Sequence, residues 1–562
     1  MRREVSVVNK KVCSFPILFA LLTLLIGTCA VVFPASAQAA PTSTGSITVS
    51  GTVASSYDAY QIFSANVVDG DKDAKIATDL AWASDDVRDA AMPVLHSAGM
   101  PKSQTTAQEA AEWLNADSHL TSALSAQLAR SLQSSGAVSV ALNAGTAAEL
   151  PCGYWLIVAD DDAIAQDQAG TAPIMALVGG SAVAVKPKAA TPKVAKHVLE
   201  DGTAAWGKAA DATVGDDLYW RLSATVPAGL TAYDAYTVQF VDTMGAGLDP
   251  SRVAASMRVY VAAGADGGFD AVPAGRDVRA GTEPAKGWTD ITAQCATKVA
   301  ADGTFTVRTG DLIAALGGAD AFAAGARVVA VYDAPLNGAC SHGIAKGNPN
   351  EVYLRYPRSP LADQSGDAGF TRTPSDDACA YTWDLALTKR GSDGDKPLPG
   401  AVLSITDDRG RTLSADGTWD AEGKATVTTG EDGRVTVSGV DSSKLEIREL
   451  KAPKGYTAFK GTRSVTVKAD GLDVKQVAAA KPKLTITAES PLRADSADGS
   501  TGSLEASIIN TPTGTPPSIF TGGFMPSTGD MAMYAAAAVA VVGAALIVVA
   551  LLVKRGGGSH KE

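Results

Sequence analysis

From Ser46 to Asn510 the chain returns again and again to short segments in which apolar and polar residues alternate. Examples are "YDAYTVQFVD", "EVYLRY", "KLEIREL" and "SLEASIIN", set apart by Asp-Gly and Gly-Asp turns. A period of two puts alternate side chains on one face, so each segment has one side to bury and needs a partner sheet. Many such strands predict a mainly β protein of tandem immunoglobulin-like sandwiches. Aromatic residues at 6%, charged residues at 19% and 55 glycines in 562 residues fit several small sandwiches better than one large enzyme core.

The pattern divides the chain. Residues 40–190 open with strand-like "SITVSGTV" and "YDAYQIFSA", and then turn helical. Leu120, Leu124, Leu128 and Leu132 recur at helical spacing after "TTAQEAAEWL", which predicts a core-facing helix, and strands return in "GYWLIVAD" and "SAVAVKPK". Residues 191–362 read as a second sandwich. Residues 363–379, within the polar, Gly- and Pro-bearing run "SPLADQSGDAGFTRTPSDD", read as a linker. Residues 380–512 read as a third sandwich and 513–530 as an extended stalk.

The ends place this body outside the cell. A basic start, an apolar run and an Ala-x-Ala site over residues 1–39 predict a secretory signal, with cleavage after Ala37 or Ala39. Met531 to Val553 is uncharged and long enough to span a bilayer, and the basic residues of 554–562 orient it with the tail in the cytoplasm. The first 37 residues carry +3 and those after Thr528 carry +1, so the formal −12 of the chain becomes −16 for the body. So acidic a body argues against nucleic acid as a partner. Outside the signal lie Cys152, Cys295, Cys340 and Cys379; export permits disulfides, and Cys295–Cys340 and Cys340–Cys379 are both open as pairings.

Polar groups stand on the apolar parity of several strands. Lys196 aligns with Val194 and Val198, Asp242 with Val238 and Phe240, and Asn350 with Val352, Leu354 and Tyr356. The third unit repeats this: Lys389 aligns with Trp383, Leu385 and Leu387, Glu449 with Leu445 and Ile447, and Asn510 with Leu504, Ala506 and Ile508. A lone buried ammonium or carboxylate is costly, so a salt bridge with a bonded amide, or strand ends that reach solvent, are the plain readings of each. Two matching triples point to a common chemistry instead. Desolvation favours a neutral amine beside a protonated acid. The amine attacks the Asn side-chain carbonyl, the acid moves protons as catalyst, and ammonia leaves. Asp242 and Glu449 are the proton shuttles of two such isopeptide bonds, Lys196–Asn350 and Lys389–Asn510, each expected to join the first and last strands of its sandwich.

The pentapeptide Met525, Pro526, Ser527, Thr528, Gly529 ahead of the apolar span resembles a sortase sorting signal, Leu-Pro-x-Thr-Gly, with Met in place of Leu. "IRELKAPKGY" is similar to the pilin E-box and places its glutamate at Glu449. "LTKRGSDGDKPLPGAVLSI" resembles the opening of a collagen-adhesin B-type domain, and "VAVKPK" the pilin motif. The chain therefore resembles the backbone (shaft) pilin of sortase-assembled Gram-positive pili or fimbriae, with CnaA/CnaB-like domains. That resemblance implies a wall-anchored surface polymer that supports adhesion, cross-linked by sortase from Thr528 to Lys188 of the next subunit, with Lys186 as the other candidate amine. It implies pilin-specific and housekeeping sortases, identical subunits, ancillary pilins, peptidoglycan and a host surface receptor as partners. A wall-anchored adhesin, or a tip or basal pilin, is the alternative. The body's four histidines (His96, His119, His197 and His342) have no metal-ligand spacing, and the glycine runs lack a phosphate-loop context. No metal, cofactor or turnover enzyme is expected.

Overall fold

The computed structural model describes residues 43–514 apart from 52, 72–73, 117, 189, 267, 270–271, 273–282 and 473. The signal, the sorting pentapeptide and the apolar run Met531–Val553 lie outside the described residues. Among the described residues no helix is long and apolar enough to cross a membrane.

The N-terminal unit stacks a three-stranded sheet, centred on β1 (Thr44–Val49), against a larger sheet built on the long β2 (Ser56–Asp69). Ile47 and Val49 meet Tyr57, Ala59, Trp155 and Ile157 between the sheets. The other face of β2 is roofed by α1 (Asp85–Ser97), α2 (Ala107–Asn115) and α3 (Ser122–Ser135). Burial on both faces explains why β2 and its neighbour β3 (Gly153–Ala159) are apolar at both parities. The helices start and stop on local signals. Thr106 and Glu109 form a capping box on α2, the Thr121 hydroxyl accepts from Leu124 N on α3, and Gly136 ends α3 at φ 74°. Leu124, Leu128 and Leu132 face the core as their spacing predicts, while Leu120 stands just ahead of the helix. The unit closes with β4 (Val183–Val185), parallel to β1.

The middle unit is a sandwich. One sheet holds β5 (Lys193–Glu200), β6 (Tyr219–Val226) and β9 (Ala326–Asp333) side by side. The facing sheet holds β7 (Gln239–Met244), β8 (Thr304–Arg308) and β10 (Asn348–Pro357), with β7 between the other two. Trp220, Phe240, Phe305, Val352 and Leu354 fill the space between.

Two expectations need correction here. Residues 363–379 are not simply a linker: β11 (Phe370–Arg372) and β12 (Asp376–Tyr381) pair with β10 along one edge. So β10, which carries Asn350, is not the last strand of its unit. The edge of β10 left bare by β7 must satisfy its backbone groups, and these two short strands do so.

The C-terminal unit is again two sheets. β13 (Trp383–Gly391) runs parallel to and beside β15 (Ser503–Pro512), and β14 (Lys444–Lys451) lies in the opposite sheet. Its core reaches into the middle unit, where Ala209, Cys379 and Tyr381 join Trp383, Leu385 and Leu387 in one cluster. The indole of Trp383 donates to Asp211 of the middle unit at 2.5 Å, and Val214 N donates to Gly439 O at 2.9 Å.

Candidate cross-link sites

In the middle unit the structure brings Lys196, Asp242 and Asn350 into one sealed polar knot. All three are fully buried, each at 0% exposure. Lys196 comes from β5 in one sheet. Asp242 and Asn350 come from β7 and β10 in the other, where Met244 is opposite Asn350 and Asp242 is opposite Val352. The inward parity of these three strands therefore decides the meeting. Lys196 Nζ contacts Asp242 Oδ2 directly.

A fourth residue, not found by sequence reasoning, ties the knot. The Tyr332 hydroxyl, on β9, accepts from Lys196 Nζ at 2.9 Å and from Asn350 Nδ2 at 2.9 Å, and donates to Asp242 Oδ2 at 3.1 Å. The available signal was "VVAVYD", an apolar run whose inward parity ends in a phenol that needs a partner when buried. Asp242 Oδ1 and Asn350 Oδ1 find no hydrogen-bond partner among the described residues, an unfavourable state for buried acceptors.

In the C-terminal unit the second triple closes directly. Lys389 Nζ donates to Asn510 Oδ1 at 2.6 Å and lies 3.0 Å from Glu449 Oε1. Asn510 Nδ2 donates to the same carboxylate oxygen at 2.8 Å, and Phe459 N holds its other oxygen at 3.0 Å. The Phe459 ring lies 5.3 Å from the lysine nitrogen. Lys389 and Asn510 are two residues out of register on adjacent parallel strands, since Lys389 is opposite Ile508 and Gly391 opposite Asn510. Glu449 reaches them from the other sheet.

Both lysines are shifted toward the neutral amine. Burial pulls Lys196 down to about 8 against the opposing pull of Asp242, and Lys389 down to about 8 against that of Glu449. Burial pushes Asp242 up, with Lys196 opposing. Neutral amine and protonated acid are the forms that amide formation needs: a lone pair on nitrogen and a donor for the carbonyl oxygen. In both knots the reacting groups are buried and held against one another, which supplies the effective concentration that a slow reaction requires.

Lys186 and Lys188 are both exposed, while Val185 and Pro187 between and before them are buried. Each therefore presents its amine on the surface beyond β4. Among the described residues all cysteines are free: Cys152 and Cys379 are buried, Cys295 and Cys340 half-buried. The bridge expected among Cys295, Cys340 and Cys379 is absent. Each sulfur has its own niche: Cys295 Sγ contacts Ile291 O at 3.3 Å, and Cys379 packs beside Gly347 and Tyr381. Burial lifts the thiols of Cys295 and Cys379 to about 12 and about 11, away from the reactive thiolate. Among the described residues no group of acids, histidines and cysteines is arranged to hold a metal ion.

Comparison with known proteins gives these arrangements a setting. Residues 384–481 match the SpaA prealbumin-like fold domain, a span that includes Lys389 and Glu449 and ends before Asn510. The chain is 30% identical over 143 residues to the trypsin-resistant surface T6 protein of Streptococcus pyogenes serotype M6, a match covering 24% of each. It thus spans about a quarter of the length of that curated relative. Among solved structures it is similar to the T6 backbone pilin of serotype M6 S. pyogenes, with TM-score 0.46 and 16% identity over 84% of this chain and 98% of that one. It is also similar to the major pilin SpaD of Corynebacterium diphtheriae, with TM-score 0.42 and 15% identity over 85% of this chain and 100% of that one. What these comparisons show is a prealbumin-like SpaA domain over residues 384–481 and a similarity to the T6 surface protein over 143 residues.

Proposed function

We propose that the chain is the shaft subunit of a covalent cell-surface pilus, a structural protein whose own chemistry is limited to closing two internal amide bonds. The observation that carries this reading is the Lys389–Glu449–Asn510 triangle, an amine, an acid and an amide in mutual hydrogen-bonding contact with no exposure of the lysine and glutamate side chains. In the reaction the Lys nitrogen attacks the Asn side-chain carbon, the acid passes the amine's proton to the departing nitrogen, and ammonia leaves. Lys196, Asp242 and Asn350 do the same in the middle unit, with Tyr332 relaying between acid and amide.

Polymer growth then joins Thr528 of one subunit, as the acyl group handed over by a pilin-specific sortase, to Lys188 of the next. The contact is heterologous and does not close, so it grows as a fibre. A housekeeping sortase attaches the finished polymer to peptidoglycan, and ancillary pilins cap or anchor it. Expressing Lys188→Ala and Lys186→Ala variants in the native cell tests this. The wild type and Lys186→Ala should give a ladder of high-mass surface polymers, and Lys188→Ala only monomer. A ladder that survives Lys188→Ala would reassign the acceptor, and its absence in the wild type would favour a solitary wall-anchored adhesin.

A further inference from the structure

The outer face of the middle unit carries a row of arginines that neither cross-link uses. In the β8–β7–β10–β11 order, Arg308 is opposite Gln239, Gln239 is opposite Arg355, and Arg355 is opposite Arg372. Strands lie about 4.8 Å apart, so the backbone positions of the three arginines stand at steps of about 5 and about 10 Å across the sheet. Like charges placed directly opposite one another weaken a sheet. Here Arg355 and Arg372 are such a pair, in a body whose formal charge is strongly negative.

Contacts within the chain hold the row without neutralising it. Arg308 and Arg355 lie over the buried ring of Phe370, at 5.0 and 5.7 Å from its centre, and Arg372 lies 5.1 Å from that of Tyr353. These rings support the cations, and part of each fork already donates within the chain: Arg355 to Gln239 Oε1, Asp367 Oδ1 and Asp367 O, and Arg308 to Gln364 O. The acids in contact are Asp367, 2.9 Å from Arg355, and Asp162, 3.8 Å from the neighbouring Arg358. Their side chains are 80% and 102% exposed, where ion pairs are weak. Arg372 also lies beside the side-chain amide of Gln166. Arg355, Arg358 and Arg372, with Gln166, Tyr353 and Phe370, line a cavity of about 510 Å³ where the N-terminal and middle units meet. That volume is within the range of small-ligand sites.

We propose that this cavity binds a short acidic oligosaccharide, with the arginine forks gripping sulfate or carboxylate groups on successive sugars. The planar fork of arginine suits both anions in two-point contact. Three arginines, Arg355, Arg358 and Arg372, around one cavity suit a ligand that carries more than one anionic group, rather than one isolated phosphate. The negative body repels long polyanions, so binding is confined to the few units inside the cavity and weakens with salt. The inference takes only the outside location from the proposed function. Its test reads no cross-link, so the two fail separately.

The whole chain in detergent is titrated calorimetrically with three hexasaccharides: sulfated, carboxylate-only and neutral. One or both acidic sugars should bind at one per chain and the neutral one should not; the stronger of the two identifies the anion. Arg355→Ala/Arg372→Ala should weaken binding at least tenfold, while Arg493→Ala, an exposed arginine of the C-terminal unit, leaves it unchanged. If the double variant has a lowered Tm, Arg372→Gln alone is read, since that side chain is exposed. Failure of both acidic sugars to bind, equal loss in Arg493→Ala, or tighter binding of tripolyphosphate than of either sugar would overturn the proposal.

Discussion

Lys196 and Lys389 each sit where three effects compete: loss of hydration, attraction to an acid, and a hydrogen bond to an amide or phenol. Burial wins at Lys196 and Lys389, since both fall to about 8 despite an acid in contact. The sign of the resulting pH dependence follows. In an unlinked variant such as Asn510→Ala, Lys389 binds its proton less tightly folded than unfolded, so stability rises as pH climbs from about 8 to about 10.5. The rise should be on the order of 3 kcal/mol over that window, by the usual conversion of pKa differences. In the wild type the amide has no such proton to lose, and urea melts of the C-terminal unit should not show this rise. Tyr332→Phe removes the one hydroxyl common to Lys196, Asp242 and Asn350. It should slow closure of the middle unit, read as a slower loss of ammonia by mass, and destabilise the unlinked form by about 1–3 kcal/mol.

At the scale of strands and helices, period-two reading served wherever a strand was long enough to show its parity. Lys196, Asp242, Asn350, Lys389, Glu449 and Asn510 are all buried in the structure, on the faces their neighbours imply. The same reading missed β11 and β12, each short and within a run rich in Gly, Pro and Asp, where alternation has no room to appear. It also missed Tyr332, because one aromatic ending an apolar run looks like ordinary core. Sulfur pairing was not legible, since sequence spacing says nothing of the Cα separation that a disulfide demands. The helical roof was legible from its leucines, and it makes its own prediction. Leu128 on α3 is fully buried, so Leu128→Ala should cost about 2–5 kcal/mol in the N-terminal unit, measured by thermal melts that leave the transitions of the other two units in place.

At the scale of the whole molecule, the proposed linkages decide which units carry tension. A subunit joined at Lys188 and at Thr528 transmits force through residues 188–528. The N-terminal unit lies ahead of that path in sequence, and its described residues hold no lysine–acid–amide triple of the kind described. The two units on the path have one each, built differently. The middle bond would staple sheet to sheet, whereas the C-terminal bond would join two neighbouring parallel strands. In the latter, 121 residues separate Lys389 from Asn510, and closing a loop of that length should stabilise the fold by about 5 kcal/mol. Pulled by its ends in a force spectrometer, Asn510→Ala should therefore release roughly 400 Å more contour than the wild type, at about 3.5 Å per residue. Equal lengths would mean that the segment is not closed in the wild type.

All of this turns on whether the two lysines have lost their charge to covalent bonds. Intact mass spectrometry of the folded, signal-free chain measures that most directly. The account predicts a mass below the sequence value by about 17 Da for each bond, one ammonia apiece, hence about 34 Da in all. Asn350→Ala and Asn510→Ala should each restore one such step, after allowing for the substitution itself. A wild-type chain at its full sequence mass, with Lys196 and Lys389 both recovered as free amines after digestion, would contradict it.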